Sequence, residues 1–86
     1  MNTISPHLRW ACRRGMLELD ILLGNFLEEA YLSLSEQGQA IFVRLLTEAN
    51  DQELFMWLIG KEKTRDADFA SMIEKIRYHA EHRHSS

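Results

Sequence analysis

The stretch Leu17-Glu18-Leu19-Asp20-Ile21-Leu22-Leu23-Gly24-Asn25-Phe26-Leu27-Glu28-Glu29-Ala30-Tyr31 decides the fold class. Leu19, Leu22, Leu23, Phe26, Leu27, Ala30 and Tyr31 recur every three to four residues, which is the spacing of one helix face. Glu18 and Asp20 fall in the first turn, where the helix dipole favours negative charge. Gly24 interrupts the stripe at a cost of about 1 kcal/mol against Ala, and so predicts close packing with a neighbour or a local bend.

Upstream, Ser5-Pro6 is an N-cap followed by proline at the first helical position, which starts a short helix predicted to end near Arg14. Gly15 then permits a left-handed turn into the stripe. Downstream, Ser33-Leu34-Ser35 breaks the chain and Ser35 caps a helix whose face is Ile41, Phe42, Leu45 and Leu46. Asn50 with Glu53 forms a capping-box variant for a fourth helix carrying Leu54, Phe55, Leu58 and Ile59, which Gly60 ends. Phe55 is placed in the core, and Trp57 fits either core or surface. After the polar loop Lys61 to Arg65, Thr64 or Asp66 caps a last helix with Phe69, Met72, Ile73 and Ile76 at helical spacing. Residues 79–86 show no apolar pattern and are expected to fray. Scarce glycine, one proline and no β-branched runs complete an all-α expectation: a single domain over residues 1–86, a small bundle of about five short helices.

Composition narrows function. A chain of 86 residues has room for one core. The lone Cys12 cannot form an internal disulfide, which suits a reducing compartment. No apolar run approaches the ~18 residues of a membrane span, so no membrane insertion is expected. The start Met1-Asn2-Thr3-Ile4-Ser5-Pro6 has neither a basic region nor an apolar core, so it does not read as a signal peptide. A net charge of −3 disfavours nucleic-acid binding. A helix-turn-helix reader would also need polar and basic residues where the fourth helix carries Leu54, Phe55, Met56 and Trp57. Residues 1–16 hold Arg9, Arg13 and Arg14 without an acid, while residues 17–36 hold Glu18, Asp20, Glu28, Glu29 and Glu36 without a base. Such a basic edge beside an acidic face suits one polar protein partner.

No catalytic set assembles. Glu28 and Glu29 are adjacent and diverge on a helix, as do Glu18 and Asp20. Cys12 lies among arginines without a neighbouring His or second Cys, so a buried thiol is expected in place of a reactive one. His79, His82 and His84 lack the accompanying ligands of a metal site, and His7 is expected to be solvated. No enzyme is predicted.

The remaining concentration of polar groups is Trp10-Ala11-Cys12-Arg13-Arg14-Gly15-Met16-Leu17-Glu18-Leu19-Asp20. Trp10, Arg13, Arg14, Gly15 and Glu18 are the candidate partner-binding residues, at a turn with no chemistry of its own. Treated as exposed charges, Arg14 and Glu18 would contribute little to stability.

These residues resemble the signature of the FAD assembly factor family, the SdhE-type proteins of bacteria and their mitochondrial relatives, succinate dehydrogenase assembly factor 2. The pattern is Arg14-Gly15-x-x-Glu18, joined by Asp51-Gln52-Glu53-Leu54-Phe55-Met56-Trp57-Leu58, which resembles the family's later Asp-x-x-Leu-x-x-Trp-Leu block. The resemblance also extends to length and element order. It implies a non-enzymatic helper that binds the flavoprotein subunit of succinate dehydrogenase, and of fumarate reductase, and promotes covalent attachment of FAD. The bond forms between a client histidine and the flavin 8α-methyl group, so FAD stays with the client and no tightly bound cofactor is expected here. Without the extension of the mitochondrial members, a bacterial cytoplasmic form is expected. Arg14 would clamp a client carboxylate or carbonyl, Gly15 would admit the client backbone, and Glu18 would accept client donors or hold Arg14 across one helical turn. Members have also been labelled antitoxins, which leaves a protein-binding regulator of a toxin pair as the alternative.

Overall fold

The computed structural model describes residues 4–83 as helices α1 (Pro6–Ala11), α2 (Leu17–Ala30), α3 (Glu36–Glu48), α4 (Asp51–Leu58) and α5 (Ala67–His82), with a 3₁₀ turn at Tyr31–Ser33. His84 and the last two residues lie outside the described residues.

Local chemistry sets most boundaries. The Ser5 hydroxyl accepts from the Leu8 N–H at 3.1 Å, with Pro6 opening α1. The Ser35 hydroxyl accepts from the Gly38 N–H at 3.0 Å. Asn50 and Glu53 form the reciprocal capping box of α4, at 2.8 and 3.1 Å. Asp66, not Thr64, caps α5 by accepting from the Asp68 and Phe69 N–H groups at 2.9 and 3.1 Å. Gly60 ends α4 at φ +81, where its N–H reaches the Trp57 carbonyl and the Lys61 N–H reaches the Met56 carbonyl.

Helix α5 packs against α2, α3 and α4, and α1 rests on α3. The core is apolar throughout: α2 gives Leu19, Leu23, Phe26 and Leu27, α3 gives Phe42, Leu45 and Leu46, α4 gives Leu54 and Leu58, and α5 gives Phe69, Met72, Ile73 and Ile76. The Phe26 and Phe42 rings meet at 5.5 Å, and the His79 ring stands edge-on to Phe26 at 5.4 Å. No helix among the described residues is long and apolar enough to cross a membrane.

Four expectations change. Helix α4 buries only the i, i+4 pair Leu54 and Leu58, so Phe55 sits half-buried at the edge, Ile59 is 40% exposed, and Trp57 is the aromatic that packs on the core. Gly24 is not closely packed: a Cβ built there would meet nothing within 4 Å among the described residues. Residues 79–82 do not fray but continue α5. Glu29 of α2 clasps that end, accepting from Arg83 at 2.6 and 3.0 Å and meeting His79 Nε2 at 2.9 Å. Finally, α1 stops at Ala11, short of Arg14.

Candidate functional site

Helix α1 unwinds through Cys12 and Arg13, whose N–H groups reach back to the Arg9 and Trp10 carbonyls at 3.2 and 3.0 Å. The next two amides leave the helix altogether. Those of Arg14 and Gly15 donate to the two oxygens of Asp20, at 2.6 and 3.3 Å. Asp20 lies one turn into α2, so a carboxylate from the second helix holds the turn that precedes it. Gly15 adopts φ +89, a conformation that costs a side-chain-bearing residue dearly.

Arg14 is turned inward. Its Nε donates to Asp51 Oδ1 at 2.7 Å, Nη1 to the Ala11 and Leu46 carbonyls at 3.1 and 2.8 Å, and Nη2 to the Ala49 carbonyl at 2.9 Å. Those carbonyls belong to the ends of α1 and α3, where the helix leaves its last acceptors without internal partners. A guanidinium answers them well, because it is cationic and carries several donors in a fixed plane. One side chain, 15% exposed, therefore ties the end of α1, the end of α3 and the start of α4 together. Asp51 opens the second sequence block, so the two blocks meet in space through this ion pair.

The expectation of Arg14 as an outward clamp is corrected by this geometry: its guanidinium is committed within the chain. Glu18 does not hold it, because the helix does not run through Gly15. The basic edge also shrinks. Arg9 pairs with Glu28 and Arg14 with Asp51, which leaves Arg13 as the one arginine of that edge without an ion pair among the described residues. What faces solvent around the turn is Trp10 at 73% exposure, Arg13, Gly15, Leu17 at 76%, and Glu18. A Cβ added at Gly15 would meet no atom within 4 Å, so the backbone there is bare to an approaching surface.

Cys12 lies beneath the turn, buried, and burial pushes its thiol up to about 11 against a lowering pull from Arg14. No group of three or more potential metal ligands occurs among the described residues. His82 stacks on Tyr78 at 3.9 Å, and His79 meets Glu29 at 2.9 Å.

Asp20 and Asp51 were not among the candidates read from sequence, though both stand inside the quoted blocks. As acids in the first turns of α2 and α4 they look like ordinary dipole partners. Only the tertiary fold shows them reaching across to the turn.

Fold and site together define a small helical module that offers a braced, bare-backboned turn at its surface. Residues 6–80 match the model of the family described as the flavinator of succinate dehydrogenase, and the chain belongs to that family. Relatives carry the name FAD assembly factor SdhE. One from Idiomarina loihiensis is 53% identical over 66 residues, covering 77% of this chain and 72% of the relative. One from Vibrio vulnificus is 50% identical over 72 residues, covering 84% and 83%. One from Shewanella oneidensis is 47% identical over 70 residues, covering 81% and 84%.

Proposed function

We propose that this protein binds the flavoprotein subunit of succinate dehydrogenase, and that of fumarate reductase, and promotes covalent attachment of FAD without performing the chemistry itself. The observation that carries this is the Gly15 turn: a left-handed glycine with open space above it, flanked by Arg13 and Glu18, neither of which has an ion pair among the described residues. A surface charge with no ion pair among the described residues and a backbone without a Cβ are both suited to an incoming protein.

Each residue then has a distinct part. Gly15 lets the client backbone come close. Arg13 and Glu18 offer one donor fork and one acceptor on either side of it. Trp10 supplies an exposed aromatic anchor of the kind that dominates interfaces. Arg14, Asp20 and Asp51 fix the turn so that little ordering remains to be done on binding. Held this way, the client keeps its histidine and the flavin methyl group in a reactive geometry, and orientation of that kind contributes as much as about 7 kcal/mol to a barrier. FAD remains with the client, and the turn's polar groups serve protein contacts.

The test is reconstitution. Flavin-free flavoprotein subunit is incubated with FAD, with and without this protein, and covalent flavin is read by fluorescence in a denaturing gel. The expected result is faster loading that depends on Gly15 and Glu18. Equal loading in both arms refutes the proposal.

A further inference from the structure

One face of α2 has no partner among the described residues. Leu17 is 76% exposed and Ile21 50%, and at i, i+4 they stand on the same side of the helix, away from the buried Leu19, Leu23, Phe26 and Leu27. Gly24 follows at the next position of that stripe, and a Cβ built on it meets nothing within 4 Å. A helix-interior glycine costs about 1 kcal/mol against alanine, and no contact among the described residues requires it. The two glycines with open space above them, Gly15 and Gly24, thus bracket two exposed large aliphatic side chains. Along the helix from Leu17 to Gly24 the stripe is about 10 Å long, enough for two turns of contact. Its near end is flanked by Glu18, which has no partner among the described residues, and its far end by Glu28, already paired with Arg9.

We propose that Leu17, Ile21 and Gly24 continue the docking surface from the turn along α2 and seat an apolar segment of the flavoprotein client. This rests on the docking role proposed above. The segment's backbone comes closest at Gly24, and a basic residue at its near end meets Glu18. Two aliphatic side chains between two bare backbone positions form a shallow seat with an acidic rim, and Glu18, which has no ion pair among the described residues, supplies the charge complementarity that selects such an occupant. Binding energy then comes chiefly from apolar burial on α2, and the Arg13–Gly15–Glu18 turn sets the register.

Purified flavin-free flavoprotein subunit of succinate dehydrogenase is the probe, titrated against the full chain by interferometry, with thermal melts of every variant. The Leu17→Lys/Ile21→Lys double variant is expected to weaken binding by about tenfold or more, since truncated interface anchors commonly cost that much. Gly24→Leu is expected to weaken binding as far while melting no lower than the wild type, because a Cβ there meets nothing within 4 Å among the described residues and replacing a helix-interior glycine gains helix propensity. Lys75→Ala on α5 is expected to bind as the wild type does. If either α2 variant binds within about twofold of the wild type while Gly15→Arg fails to bind, the α2 seat is refuted and the docking turn stands. If Gly15→Arg itself binds normally, the docking turn falls and the seat falls with it.

Discussion

Arg14→Ala should be a folding mutation before it is a binding one. The guanidinium makes four hydrogen bonds within the chain, three to carbonyls at helix ends and one to the Asp51 carboxylate, from a side chain 15% exposed. Hydrogen bonds to charged groups contribute about 1.5–3 kcal/mol each when isolated and buried. Here the deleted group would be partly replaced by water, because an open concavity lined by Arg14, Asn50, Asp51 and Gln52 reaches the site. A total loss of about 3 kcal/mol is therefore expected. For a domain of this size that lowers Tm by roughly 12–24 °C. Circular dichroism melts measure it, with Arg44→Ala as the comparison, since Arg44 is a 45% exposed cation paired with Glu48 and Asp66 and should shift Tm far less. Arg14→Lys should rescue only partly, because one ammonium cannot reach acceptors on three helices at once. Flavin loading by the Arg14→Ala protein should recover as the assay is cooled well below its Tm. A Tm within about 3 °C of the wild type would refute the brace and return Arg14 to the partner-facing role read from sequence.

Three further outcomes are expected. At Gly15, φ +89 makes any Cβ strained, so Gly15→Ala and Gly15→Arg should both lose about 1–2 kcal/mol in melts while only the arginine variant abolishes client binding; equal binding losses would mean that the turn conformation, not open space, is what the client needs. The Cys12 thiol, raised from an ordinary 9.0 to about 11 by burial, should contribute stability that is complete below pH 9 and lost as pH rises toward 11; Cys12→Ala should flatten that part of the wild-type profile in a pH-melt series. The Glu29 carboxyl is held below its ordinary 4.5 first by the Arg83 hydrogen bond, so the α2–α5 clasp should be intact above that pH and lost as pH falls through the lower folded value; Glu29→Gln should remove that acid dependence in the same melts.

How much of this could be read from the chain depends on the range of the interaction. The caps at Ser5, Ser35 and Asn50 and the stop at Gly60 are decided within four residues, and all were legible. The apolar stripe of α2 was legible too, because periodicity is a local property. Phe55 was misplaced because α4, at eight residues, presents only two positions to the core, and which two depends on how the helix is rotated against α5. The start of the tail, through Arg83, was misjudged because its anchor, Glu29, lies on another helix. Arg14 follows the same rule: its acceptors at Leu46, Ala49 and Asp51 lie more than thirty residues away, and three of its four acceptors are carbonyls, which leave no mark in a sequence.

The Arg14-Gly15-x-x-Glu18 pattern therefore divides along a physical line. Arginine and glycine are adjacent, yet one points into the bundle and the other is bare to solvent. The division follows from the conformation each residue requires. A left-handed turn at Gly15 ends the path of α1, and the Arg14 side chain is thereby dropped among the carbonyls at the ends of α1 and α3. In a helix running through Gly15, Arg14 and Glu18 would be neighbours one helical turn apart; here the helix stops at Ala11 and Arg14 is engaged among those carbonyls. Glu18 has no ion pair among the described residues, and Arg14 is engaged elsewhere. Glu18 thus keeps its carboxylate exposed at a turn that the neighbouring guanidinium holds in place.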